Sequence, residues 1–180
     1  MKVIVLDRDG VINEDSDAFV KSLGEWIPIA GSLEAIARLN QAGYRLAIAT
    51  NQSGVGRGLL TLDDLNAMHQ RLHDRLAELG GEVEAIFFCP HRPEEHCPCR
   101  KPRPGLLLSV RERFGVGASD LLVIGDSLRD LESAWAAGAA AALVLTGKGG
   151  RTLADHRERL GETPVYRDLA AAADAILAVA

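Results

Sequence analysis

Asp7, Asp9, Thr50, Lys101 and Asp126 are the residues whose types and spacing could do chemistry as a set. Asp7-Arg-Asp9-Gly10 closes one short apolar run, and Thr50-Asn51-Gln52-Ser53-Gly54 closes another. Arg100-Lys101 follows a loop rich in proline and cysteine, and Gly125-Asp126-Ser127-Leu128-Arg129-Asp130 closes a further apolar run. Taken singly, each piece reads as a turn or a cap. Taken together, they match what hydrolysis of a phosphate monoester demands. A carboxylate nucleophile divides the reaction into phosphoryl transfer and hydrolysis of an acyl phosphate. Bringing two anions together calls for a divalent cation and a lysine, and a second acid must protonate the leaving oxygen and then activate water. Asp7, Asp126, Lys101 and Asp9 fit these roles. Thr50 and the amides after it, at the start of the next helix, would hold the phosphoryl oxygens. Asp130 reads either as a group orienting Asp126 and its waters or as an exposed acid at a helix start.

The elements that must position these residues are legible as alternating patterns. Val3–Leu6, Leu46–Ala49, Ala85–Phe88, Leu121–Ile124 and Ala142–Leu145 are short and apolar throughout, as strands read when helices cover both faces of a parallel sheet. Between them Ser32 to Asn40, residues 62–79, Leu106 to Phe114, Leu131 to Ala137 and Leu169 to Val179 have helical character. Leu62, Leu65, Met68, Leu72, Leu76 and Leu79 repeat at helical spacing, with Thr61 and Asp64 as a capping box and Gly80-Gly81 as the stop. The expectation is a single α/β domain over residues 1–180 with a doubly wound, Rossmann-like parallel sheet, ligands binding beyond the carboxyl ends of the strands. Two long irregular stretches, Asn13 to Gly31 and Cys89 to Pro104, are candidate functional loops. His69 and His73 read as solvated positions on the 62–79 helix, Arg103 as solvent-facing, and Trp26 and Trp135 as packing residues.

The four strand-end motifs resemble those of the haloacid dehalogenase superfamily of phosphohydrolases over nearly the whole chain. That resemblance implies Asp7 as nucleophile, Asp9 as acid/base, Thr50 as phosphate-binding threonine, Lys101 as the motif lysine and Asp126 as the metal aspartate. Magnesium would then be held by Asp7, the backbone carbonyl of Asp9, Asp126 and waters, an oxygen shell suited to a hard cation.

Cys89-Pro-His91 and Cys97-Pro-Cys99 form two tight pairs, matching a closed Cys₃His structural zinc site. His96 could replace His91, and the unrelated reading is a loop of reduced thiols or an oxidised pair. Four protein ligands leave no position for water, so this zinc would stiffen the loop and present Arg100 and Lys101. The loop, with Asp-Arg-Asp-Gly-x-Ile-Asn and Thr-Asn-Gln-Ser-Gly, resembles the capless heptose bisphosphate phosphatase family of heptose activation, with histidinol-phosphate phosphatases sharing nearly the same motifs. This resemblance implies sugar-phosphate contacts from Asp15, Ser16, Asp17 and Ala18, from Asn51, Gln52 and Ser53, and from Arg100. Arg57 and Lys148 are further basic candidates, because an arginine can grip a second phosphate bidentately. The chain departs from many relatives in residues 15–22, which lack His-Gly-Tyr, and at Ser127, where some carry lysine.

A formal charge of -5 argues against a polyanion binder. The early first strand leaves no room for a signal peptide, and no apolar run is long enough to span a membrane. Three cysteines crowded between 89 and 99 suggest a reducing cytoplasm, and the default assembly is a monomer. A phospho-accepting receiver fits poorly, since its accepting aspartate ends the third strand. A non-catalytic sugar-phosphate module would not need the full set Asp7, Asp9, Lys101 and Asp126.

Overall fold

The computed structural model describes residues 2–179, in the chain order β1 (Val3–Leu6), α1 (Ser32–Gln41), β2 (Arg45–Asn51), α2 (Ser53–Gly56), α3 (Leu62–Glu78), β3 (Ala85–Cys89), α4 (Gly105–Phe114), β4 (Leu121–Gly125), α5 (Leu128–Ala136), β5 (Ala140–Val144), α6 (Gly149–Leu160), β6 (Val165–Tyr166) and α7 (Leu169–Leu177). The six strands are all parallel in the order β3-β2-β1-β4-β5-β6. The alternation along β1 explains its wholly apolar sequence. Ile4 and Leu6 join a core with α1, α3 and α7, while Val3 and Val5 join a second core with α4 and α5 on the other face. The chain winds outward from β1 to β3 and then returns to β4 on the other side. The crevice between β1 and β4 is therefore the topological switch point, and Asp7 and Asp126 follow these two strands.

Five strands and five longer helices fall where the apolar patterns place them, with shifted ends. The fifth strand runs Ala140–Val144 and not Ala142–Leu145, because small alanines pair with β4 before the larger Leu143 and Val144. Helix α5 starts at Leu128, since Ser127 caps it through Asp130. Helix α6 and strand β6 lie outside the apolar patterns. The first buries only Gly149, Thr152 and Leu160, and the second is a two-residue pairing with β5, so neither leaves an apolar signature. The capping box at Thr61 and Asp64 is present in α3.

Two readings of burial need correction, and one pair of alternatives is resolved. His69 is buried, because the 65, 68, 69, 72, 76 spacing puts it on the apolar stripe of α3. Trp135 is partly exposed, whereas Trp26 is buried. Asp130 is not an exposed helix-start acid but a buried carboxylate.

Candidate active site

Lys101 organises the centre of the crevice. Its ammonium is buried, donates to the Ala49 carbonyl at 2.8 Å and lies 3.0 Å from Asp7 Oδ1 and 2.5 Å from Asp130 Oδ1. Its backbone is clamped from the end of β2: Lys101 N–H donates to Asn51 Oδ1 at 3.0 Å, and Asn51 Nδ2 donates to the Lys101 carbonyl at 3.1 Å. Burial opposes the ammonium charge, yet Asp130 and Asp7 outweigh it and hold Lys101 above the usual lysine range. Burial likewise opposes ionisation of Asp130, and Lys101 overrides it, keeping that carboxyl below its ordinary value. The other Asp130 oxygen accepts from the Ser127 amide and hydroxyl.

At Asp7 and Asp126 burial outweighs the compensation present. Burial raises Asp7 to about 6, with Lys101 pulling down and Asp130 and Asp9 pushing up. Burial, then the charges of Asp130 and Asp7, raises Asp126 to about 8. Oxygens of Asp7, Asp126 and Asp130 lie within 4.8 Å of one another, so three carboxylates share one ammonium. A divalent cation would balance that excess, and the all-oxygen donor set suits magnesium. Because both Asp130 oxygens are engaged by Lys101 and Ser127, whereas the contacts of Asp7 fall on Oδ1 and the amide contact of Asp126 on Oδ2, Asp7 and Asp126 are the carboxylates with an oxygen left to hold it. The loops around Asp126 close tightly. A Cβ at Gly10 or Gly147, both at positive φ, would collide with Asp126 Oδ2. Thr146 Oγ1 donates to the Gly10 carbonyl at 2.6 Å, Lys148 N–H to Asp126 Oδ2 at 2.7 Å, and Thr152 Oγ1 to the Asp126 carbonyl at 2.9 Å.

Asp9 is held apart from this cluster. Arg8 Nε and Asn13 Nδ2 donate to its Oδ1 at 3.0 and 2.8 Å, and Arg8 Nη2 and Gln52 Nε2 donate to Oδ2 at 3.1 and 2.8 Å. Gln52 Nε2 also donates to Thr50 Oγ1 at 3.0 Å, which leaves the buried Thr50 hydroxyl proton for another acceptor. Helix α2, directly after this turn, has only four residues, so Thr50 and nearby amides are aided little by a helix dipole.

Asp7, Asp9, Thr50, Asn51, Gln52, Ser53, Lys101 and Asp126 line one cavity, with Asp15, Ser16, Asp17, Arg57 and Arg100 around its mouth. Ala18 is exposed and does not line it; Phe19 and Val20 do. The Asn51 and Gln52 side chains are spent on Lys101 and Asp9, so they build the cavity wall from within. Lys148 Nζ pairs with Asp15 at 2.7 Å and ties the loop after β1 to the loop after β5. Arg57 stacks 5.9 Å from the Phe19 ring centroid, and Arg100 Nη1 donates to the His91 carbonyl at 3.2 Å. Arg129 lines the same cavity, and burial, then the charge of Arg129, lowers Arg100. Arg8, Asn13 and Arg129 escaped the sequence reading, and of its two alternatives for Asp130 the exposed helix-start acid falls away, since the carboxylate is buried. Asp130 also carried a local signal, the Ser127-x-x-Asp130 capping pattern.

The cysteine loop converges as its spacing predicts. Sγ atoms of Cys89, Cys97 and Cys99 lie 3.1–3.5 Å apart, and His91 Nδ1 is 3.5 Å from Cys89 and 3.3 Å from Cys99. The three cysteines are free, and His96 is exposed in a left-handed conformation outside the group. Burial opposes ionisation at Cys97, but the Arg100 N–H and neighbouring thiols outweigh it and bring that thiol to about 7. Three soft sulfurs and one imidazole nitrogen converging on one point fit a tetrahedral zinc.

Residues 2–129 match the polynucleotide kinase 3 phosphatase family, and residues 98–172 match the HAD-hydrolase-like family. The chain is similar to a D-glycero-beta-D-manno-heptose-1,7-bisphosphate 7-phosphatase of Bordetella bronchiseptica, 53% identical over 98% of both chains. One from Neisseria meningitidis is 52% identical over 94% of this chain and 91% of its own. Among solved structures, the D,D-heptose 1,7-bisphosphate phosphatase of B. bronchiseptica, complexed with magnesium and phosphate, superposes with a TM-score of 0.95 at 52% identity over 100% of both chains. The Burkholderia thailandensis enzyme gives 0.76 at 45% identity over 98% of this chain and 99% of its own.

Proposed function

Since the chain belongs to the haloacid dehalogenase-like phosphatases, in the family of the D-glycero-beta-D-manno-heptose-1,7-bisphosphate 7-phosphatases, we propose that it removes the 7-phosphate of that sugar bisphosphate on the route to nucleotide-activated heptose. The whole chain of 180 residues acts in this reading as one catalytic domain, with the 89–104 loop as an insertion. Asp7 attacks phosphorus, the bond to the sugar oxygen breaks, and the proton of Asp9 passes to that oxygen. Water then adds to phosphorus, the Asp7–phosphorus bond breaks, and Asp9 takes a proton from the water. At about 6, Asp7 is mostly ionised at neutral pH and available to attack. Lys101 and the Thr50 hydroxyl donate to the phosphoryl oxygens. Magnesium, held by Asp7, Asp126 and the Asp9 carbonyl, would screen the charge between nucleophile and phosphoryl group. Zinc on Cys89, His91, Cys97 and Cys99 would hold the loop that carries Arg100 and Lys101.

The observation that carries this reading is the Lys101 ammonium bridging Asp7 and Asp130 beside the buried Asp126, at the switch point of the sheet. The substrate's second phosphate is assigned to the basic rim of Arg57, Arg100 and Arg129, with Asp15, Ser16, Asp17 and Ser53 facing the sugar. Among the described residues no helix is long and apolar enough to cross a membrane; a cytoplasmic monomer is the proposed setting. The test is phosphate release from the α and β heptose bisphosphates, heptose 7-phosphate and histidinol phosphate. Hydrogen bonds to charged groups contribute ~1.5–3 kcal/mol each, so kcat/KM should fall at least about tenfold when the second phosphate is missing. Equal kcat/KM for the bisphosphates and histidinol phosphate would contradict the assignment.

A further inference from the structure

Arg8 stands between the two aspartates of the first motif, and its side chain is fully buried. A buried guanidinium is costly unless its charge is paired and its donors are used. Its Nε and Nη2 form a two-pronged contact with the Asp9 carboxylate at 3.0 and 3.1 Å, a geometry that fixes the plane of the acceptor as well as its charge. The same Nη2 donates to Gln52 Oε1 at 3.3 Å, and Gln52 Nε2 reaches both Asp9 and Thr50. The orientation of Asp9 is thereby tied to the threonine expected to hold the phosphoryl group. Behind the guanidinium, Arg8 Nη1 and the Nε2 of buried His69 have no hydrogen-bond partner among the described residues. Burial, then the charge of Arg8, lowers His69 to about 4, so the imidazole is neutral and adds no second cation to the pocket. An isolated charge pair needs only proximity; this one is built for direction.

We propose that Arg8 is the positioning residue of the proton-transfer step, fixing the plane of the Asp9 carboxylate and, through Gln52, its placement relative to Thr50. The inference rests on Asp9 acting as the acid. A sugar alkoxide leaves only when protonated, whereas p-nitrophenolate leaves unaided. Misplacing Asp9 therefore slows release of the first far more than release of the second, while a role for Arg8 in core stability alone slows both alike.

The experiment measures kcat/KM for heptose bisphosphate and for p-nitrophenyl phosphate on the same preparations of wild type, Arg8→Lys and Arg8→Met. The ratio of the two is independent of the folded fraction. General acid catalysis contributes about 10²–10⁴-fold, so Arg8→Lys should lower kcat/KM for heptose bisphosphate by about 100-fold and kcat/KM for the aryl ester by less than about tenfold, since kcat/KM reads the step that expels the leaving group and not the later attack of water that both substrates share. Gln52→Leu, which spares the arginine fork, should shift the ratio the same way by less. An unchanged ratio, or complete loss toward both substrates in both Arg8 variants, overturns the proposal. If the wild type spares heptose bisphosphate, the substrate assignment fails, and the ratio is read with whichever sugar monophosphate it does hydrolyse.

Discussion

Replacing Asp126 by asparagine should stabilise the metal-free protein while removing its response to magnesium. Burial and the charges of Asp130 and Asp7 move this carboxyl from 3.8 to about 8. A folded-state value above the unfolded one means that stability is full below the unfolded value and is lost as pH rises through the folded one. At pH 7 the unfolded chain has released a proton that the metal-free fold retains. At about 1.4 kcal/mol per pH unit, the cost reaches at most ~4 kcal/mol. The asparagine of Asp126→Asn would keep an amide oxygen for the Lys148 N–H without the charge, so it recovers much of that cost. For a chain of this size the gain corresponds to a rise of roughly 5–10 °C in Tm. The assay is thermal melting in chelator from pH 5 to 9, repeated with magnesium. The wild type should lose stability toward pH 8 relative to the variant and recover it with magnesium. The variant should melt higher in chelator, ignore magnesium and be inactive. A variant that melts at or below wild type in chelator at pH 8 would refute the reasoning.

Two further outcomes follow from the same electrostatics. Lys101→Met leaves Asp130 buried without its cation and should cost about 3–5 kcal/mol, read by denaturant unfolding; the double change with Asp130→Asn should recover much of it. Protein purified without chelators should contain one zinc per chain by elemental analysis, and stripping it should lower both Tm and activity, since Cys89, Cys97 and Cys99 brace the loop that carries Lys101. Zinc-free protein with full activity would contradict the loop assignment.

How much of this is legible in the sequence depends on what leaves a pattern. Strand β1 is readable because it is apolar at every position, and helix α3 because its core residues repeat at helical spacing. Helix α6 is not, since so little of it is buried, nor is β6, a two-residue edge pairing. At the site, Asp7 and Asp126 announce themselves by following strands, and Lys101 by following the cysteine loop. Arg8 does not, because a residue between two aspartates looks like a spacer until its side chain is found buried against one of them. For His69 the spacing carries the answer and the chemistry misleads: a polar side chain on an apolar stripe is buried by its position, whatever its type. Asn51 and Gln52, expected to contact the ligand, line the cavity and at the same time lock Lys101 and Asp9 with their amides.

The central claim is that Asp7 carries the phosphoryl group. Acid quenching during turnover, borohydride reduction and peptide mass spectrometry read it most directly, because reduction of an aspartyl-phosphate leaves homoserine at the modified position. Homoserine is expected at residue 7 in the wild type with substrate, and none without substrate or in an inactive Asp7→Asn variant. Homoserine at Asp9 or Asp126, or full turnover by Asp7→Asn, would contradict it.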